Sequence, residues 1–154
     1  MKIFAHSHQQ IELPVVATDF LSEAIMKIKE TNSINTGDHI VLNYNDESYL
    51  PGEGGFHPVE IQLQMSKDDN DECIALLVYV TSFCYSNEGD FSELVKCCDY
   101  DFENGYSTHS ILNGLFTQTD KVETKEAQEN FDLFIKNFIA YVNMGSFKLK
   151  FESF

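Results

Sequence analysis

After Pro58 the chain alternates without a break. Val59, Ile61, Leu63 and Met65 are apolar, and Glu60, Gln62, Gln64 and Ser66 between them are polar. Strand side chains repeat every two residues, so this pattern predicts a half-buried strand with one wet face. His39–Asn45 behaves alike, with Ile40, Leu42 and Tyr44 on one side and His39, Val41 and Asn43 on the other. Cys73–Tyr85 is apolar on both parities at its centre, which predicts a central strand covered on both faces. Residues 97–103 alternate again: Cys98, Tyr100 and Phe102 should face inward, Asp99, Asp101 and Glu103 outward. Asn104-Gly105 then signals a two-residue hairpin turn with positive φ at both central positions, and residues 106–112 form the return strand. Asn113-Gly114 repeats that signal before residues 115–117, although 111–116 also reads as a short helix. Phe147, Leu149 and Phe151 alternate with Lys148 and Lys150 in a final strand. Residues 1–5 read as a short strand or a loose, mobile end.

Two stretches carry the helical period instead. Phe20, Leu21, Ala24, Ile25 and Ile28 make one apolar stripe over residues 18–32, with Thr18 as N-cap and Asp19 in the first turn. Residues 11–16, with Pro14 inside, read as an extended edge segment before it. Phe131, Phe134, Ile135, Phe138, Ile139 and Val142 recur at helical spacing over 123–144. Asp120 with Glu123 has the spacing of a capping box, Thr124 is the competing cap, and Gly145 closes the helix. Residues 86–95 read as a loop with one helical turn near its end. The expected fold is one α+β domain over residues 1–154, an antiparallel sheet of about five or six strands with two main helices packed on one face.

Charge changes this picture more than composition does. Twenty-five acids stand against ten bases, a net charge of −15, and every base is Lys. The middle of the chain carries the imbalance: residues 38–120 hold sixteen acids and two Lys. Without Arg, the planar fork that grips phosphate in two-point fashion is missing. Direct nucleic-acid binding is therefore not expected. A basic protein partner is, including the special case in which the acidic surface mimics a nucleic acid. The opening residues lack a signal-peptide pattern, no apolar run approaches a membrane span, and the cysteines form no Cys-x-x-Cys pair. The expectation is a cytoplasmic protein with reduced thiols and no membrane association. Oligomeric state is not specified.

Candidate chemistry is sparse. Glu53, His57 and Glu60 surround a glycine turn at residues 52–55, where His and carboxylate could do acid–base work. Parity separates His57 from Glu60, so His57 is expected to be structural, bonded to the turn backbone. The turn lacks the Lys-Ser/Thr of a phosphate loop, and a strand follows it rather than a helix. His6 and His8 have no third ligand in sight, and Asp68 opens no calcium loop, since Cys73 stands where its glycine belongs. No nucleophile motif appears. No catalytic, cofactor or metal residue is assigned.

Gly54-Gly55-Phe56-His57-Pro58-Val59-Glu60-Ile61, Ser82-Phe83-Cys84-Tyr85, Glu93-Leu94 and Asp99-Tyr100-Asp101-Phe102 together resemble a bacterial family known as domain of unknown function 2787. The resemblance spans about residues 39–116. It implies a small cytoplasmic bacterial α+β protein and brings no established activity.

The functional expectation is a non-catalytic binding or regulatory module acting through an outer face of Glu60, Gln62, Asp99, Asp101 and Glu103. The alternative is a small-ligand binder or enzyme with a pocket near Glu53, His57 and the 52–55 loop. A carboxylate from Glu53 or Glu47 within reach of His57 would favour the enzyme.

Overall fold

The computed structural model describes residues 1–86, 92–111 and 116–154. Along the chain run β1 (Lys2–Ala5), α1 (Val15–Lys29), β2 (His39–Asn45), β3 (Val59–Lys67), β4 (Cys73–Tyr85), β5 (Leu94–Asp101), β6 (Tyr106–Ile111), β7 (Phe116–Lys121), α2 (Lys125–Asn143) and β8 (Lys148–Ser153). The strands form one sheet in the order β7-β6-β5-β4-β3-β2-β8, with β1 beside β4. The fold is α+β as expected, but the sheet has eight strands among the described residues, not five or six. β1 and β7 make the difference. β1 is ordered against β4 in parallel, from Lys2 opposite Ile74 to Ala5 opposite Leu77. It is not a loose end. β7 carries Thr117, Gln118, Thr119 and Asp120, with no apolar alternation to announce it.

β4 earns its central position in two halves. Its first residues lie between β1 and β3, its last between β5 and β3. The change of neighbour falls at Val78, an extra residue where Leu63 faces Leu77 and Gln62 faces Tyr79. A bulge twists its strand and frees a carbonyl from the ladder. The Val78 carbonyl accepts the Phe102 and Glu103 N–H groups at 2.9 and 3.3 Å. A second extra residue, Cys97, lies in β5 between Lys96 opposite Phe83 and Cys98 opposite Ser82.

The core joins the expected parities. Val59, Ile61, Leu63 and Met65 are buried with Ile40, Leu42, Tyr44, Tyr100 and Phe102. Helical residues Leu21, Ile25, Phe131, Ile135 and Phe138 complete the cluster. Aromatic rings connect the layers. Phe138 meets Tyr44 edge-on at 5.1 Å and Phe20 at 5.9 Å, while Phe131 meets Tyr100 at 5.1 Å.

Several boundaries differ from expectation. α1 starts at Val15, because Pro14 fixes φ at −55° and stands at the N-cap position. Thr18 is no cap; its hydroxyl donates to the Val15 carbonyl at 3.0 Å. α2 is capped by Thr124, whose side chain accepts from the Ala127 N–H at 3.2 Å. β5 begins at Leu94, earlier than the alternation from Cys97 suggests, because the bulge at Cys97 interrupts the period. The turn after β5 is longer than two residues, since Asp101 pairs with Tyr106. Only Gly105 has positive φ there, at +81°. Asn104 instead donates to the Asp101 carboxylate through its backbone and side-chain nitrogens, at 2.9 and 2.8 Å. The Asn113-Gly114 turn lies outside the described residues. The helical turn expected at residues 91–95 does not form: only Phe91 lies outside them, Ser92 and Glu93 are not helical, and Leu94 and Val95 already belong to β5, paired with Tyr85 and Cys84.

Candidate functional site

The glycine turn is built on Asp46. One carboxylate oxygen accepts the Ser48 N–H and hydroxyl, at 2.9 and 2.6 Å. The other accepts the Phe56 N–H at 2.8 Å. These bonds, the Ser48 hydroxyl first, hold the Asp46 carboxyl below its ordinary range. Between them Gly55 passes over the Tyr49 backbone at φ +96°. Tyr49 then stacks on Tyr85 at 5.2 Å, accepts the Tyr85 N–H at 3.1 Å, and meets the His57 ring at 5.0 Å.

This loop forms one wall of a cavity of about 320 Å³. Phe56 projects from the loop and stacks on Tyr141 of α2 at 4.3 Å. Phe134, Phe138 and Phe147 extend the apolar lining, with Val59 on the sheet side. The polar groups are few: His57, Ser82 and the Asn137 amide. Glu53 is exposed on the turn and is not part of the wall. Glu47 is paired with Lys148 at 2.7 Å. The structure thus brings His57 to the cavity without either carboxylate.

Behind His57 and Ser82 lies a thiol cluster that the sequence concealed. The bulge places Cys97 within hydrogen-bonding influence of Cys84, Cys98 and His57, and Cys98 within that of Ser82, and all three thiols are free. Cys97 is pushed up to about 12, chiefly because its thiol bonds to Cys98. Cys98 is drawn down to about 7 by that same bond. Burial pushes Cys84 up to about 11. Adjacency of two cysteines argues against ordinary pairing in a regular strand, and only the extra residue in β5 turns both toward one partner set.

The expected outer-face residues share a side of the sheet but are mostly engaged within the chain. Register aligns Lys150, Asn43, Glu60, Thr81, Asp99, Thr108 and Thr119 in one row across seven strands. Glu60 accepts the Tyr79 hydroxyl at 2.6 Å, which joins burial in raising that phenol well above its ordinary value. Asp99 accepts the Thr81 hydroxyl at 2.5 Å and pairs with Lys96 at 3.0 Å. Gln62 bonds to His39 at 2.7 Å, and Asp101 holds Asn104. Glu103 lies exposed in the turn beyond. At the N-terminal end His6 bonds to Gln64 at 3.1 Å, whereas His8 bonds to Glu123 at 3.0 Å. No three His, Cys, Asp or Glu side chains are placed to hold a metal among the described residues. Nor, among them, is any helix long and apolar enough to cross a membrane.

A family model described as "Protein of unknown function (DUF2787)" matches residues 17–152. The chain belongs to the DUF2787 family. The match takes in α2, the glycine turn, strands β2 to β7, and α1 and β8 apart from their outermost residues. The DUF2787 fold is also similar to two solved structures from Vibrio cholerae. One is the hypothetical protein VC0508 of the VSP-II pathogenicity island, at 26% identity and TM-score 0.66, covering 91% of this chain and 93% of that one. The other is the conserved hypothetical protein VC1805 of pathogenicity island VPI-2, described as sharing structural homology with the human p32 protein. It is 27% identical at TM-score 0.63, covering 90% of this chain and 92% of that one. No curated protein matches the sequence.

Proposed function

We propose that the protein is a non-catalytic binding module that takes a small, largely apolar ligand between the glycine turn and α2. In this reading both helices cover one face of the sheet, and the ligand enters where α2 leaves the sheet near β2. The cavity of about 320 Å³ carries the argument. Small-molecule sites are typically ~300–1,000 Å³, apolar, and fitted with a few polar groups that fix orientation. Phe56, Phe134, Phe138 and Phe147 offer ring faces and edges, and Asn137 offers an amide at the rim. A planar aromatic or short acyl group suits that lining, with one hydrogen-bonding substituent directed at Asn137 or Ser82.

Among the described residues no carboxylate lines the wall; the neighbours of His57 are the Tyr49 ring and the Cys97 thiol, so nothing acidic orients it as a base, which supports binding over catalysis. A basic partner on the outer face remains consistent with the net charge. Its support is weaker, because Glu60, Asp99 and Asp101 already serve hydrogen bonds inside the sheet.

The dye 1-anilinonaphthalene-8-sulfonate is a suitable probe, titrated by its fluorescence. Asn137→Trp places a large side chain into the cavity mouth from an exposed helix position. Binding to the unchanged protein, lost in this variant while its circular dichroism is retained, is the expected result. Equal binding by both, or none by either, would remove the cavity as the ligand site.

A further inference from the structure

Among the described residues β8 is bonded on one side only, to β2. At one end His39 and Phe154 exchange both backbone bonds, at 2.8 and 3.1 Å. Such pairs alternate along an antiparallel ladder. Lys148, Lys150 and Glu152 therefore turn their backbone groups toward β2. Leu149, Phe151 and Ser153 turn theirs to the open edge. All six residues are exposed. Leu149 and Phe151 lie opposite Tyr44 and Leu42, so they continue the core parity, yet they remain 43% and 36% exposed. An uncovered apolar edge is a template for another strand. The opposite edge, β7, presents the exposed polar residues Thr117, Gln118 and Thr119.

We propose that β8 pairs with β8 of a second copy, antiparallel, about a two-fold axis through Phe151. The sequence Lys150-Phe151-Glu152 is self-complementary in that register. Lys150 faces Glu152 of the second copy, and Glu152 faces its Lys150. Phe151 meets Phe151, and Leu149 meets Ser153, through the backbone groups that the edge leaves open. Moving the axis to Lys150 sets two lysines face to face, and moving it to Glu152 sets two glutamates. Like charges directly opposite are destabilising and opposite charges favourable, so charge selects one register. A two-fold contact uses the same patch on both copies, as this one does. The charge of the chain does not oppose it locally: residues 121–154 hold five acids and five Lys.

Sedimentation equilibrium tests the contact. The unchanged protein is expected to be a dimer. Lys150→Glu alone, or Glu152→Lys alone, places like charges opposite at two symmetric positions and should raise the dissociation constant roughly tenfold or more. The double variant Lys150→Glu/Glu152→Lys restores opposite charges and should restore the dimer. Phe151→Pro removes an outward N–H without touching the β2 ladder and should give a monomer. Circular dichroism establishes that each variant is folded. A monomeric unchanged protein, a dimer indifferent to these substitutions, or a double variant as weak as the singles would overturn the proposal.

Discussion

A methyl group added to Gly55 would sit 2.7 Å from the Tyr49 Cα and 2.8 Å from its nitrogen. Backbone cannot yield to that contact, and φ of +96° is itself unfavourable to a side chain. Gly52 differs: its φ is +73°, but nothing lies within 4 Å of an added Cβ. Gly52→Ala should therefore cost only ~1 kcal/mol, from the backbone alone. Gly55→Ala should cost more than ~2 kcal/mol and loosen the cavity wall. Urea unfolding of the two variants compares them directly, and equal losses would show that the close approach to Tyr49 is unimportant. At Cys98 the relevant variable is pH. Its folded pKa of about 7 lies below the ordinary thiol value, so between about 7 and 9 the unfolded chain holds a proton that the folded chain has released. Stability from this group is present above the ordinary thiol pKa and is lost as pH falls through about 7. Cys84 and Cys97 act in the opposite sense: they keep their protons when folded, and that contribution is lost as pH rises toward about 11 and 12. Cys98→Ser should thus reduce the rise in unfolding midpoint from pH 7 to 9. An unchanged rise would mean that Cys98 stays protonated.

Elements were legible where one side-chain period governs their whole length. β2 coincides with the expected segment because nothing interrupts its alternation, and β4 does so because its apolar run is long and bounded by polar residues, despite the bulge at Val78. β7 was obscure because an edge strand can be polar on both sides, and Thr, Gln and Asp then look like loop. β1 was uncertain because its partner is parallel and about seventy positions away, so no hairpin turn announces it. The thiol cluster was hidden for a related reason. Its assembly depends on Cys97 being an extra residue in β5, which is a property of the paired strands and not of β5 alone. The aromatic cavity was legible only from its loop side: His57 and the glycines stood out, while Phe134 and Phe138 read simply as an apolar helix face and Tyr141 fell outside that stripe. Helix starts turned on single residues. Thr124 accepts a backbone N–H of α2 and Thr18 caps nothing, so Thr124→Ala should cost ~1 kcal/mol and Thr18→Ala much less. Thermal unfolding of the pair measures this contrast, and an equal effect would contradict the assigned caps.

Across the whole molecule, packing converges on Phe138 and backbone protection on the centre of the sheet. Phe138 meets Phe20, Tyr44, Phe134 and Phe147, joining α1, β2, α2 and the segment before β8. Phe138→Ala should lose ~3–5 kcal/mol, because the emptied volume lies between elements that cannot all close upon it. A loss below ~1 kcal/mol in urea would show that the aromatic cluster repacks. Hydrogen exchange reads the other gradient. Amides of β3 and the two halves of β4 are enclosed by neighbours on both sides and should exchange only through near-global opening. The outward amides of Leu149, Phe151 and Ser153 have no ladder partner among the described residues, so in a dilute monomer they should exchange fast. Their neighbours Lys150 and Glu152, bonded to β2, should be slower. If two copies join through β8, raising the protein concentration must slow Leu149, Phe151 and Ser153 selectively and leave β7 unchanged. The open edge, the core and the dimer contact can thus be distinguished in one experiment, since each predicts a different set of protected amides.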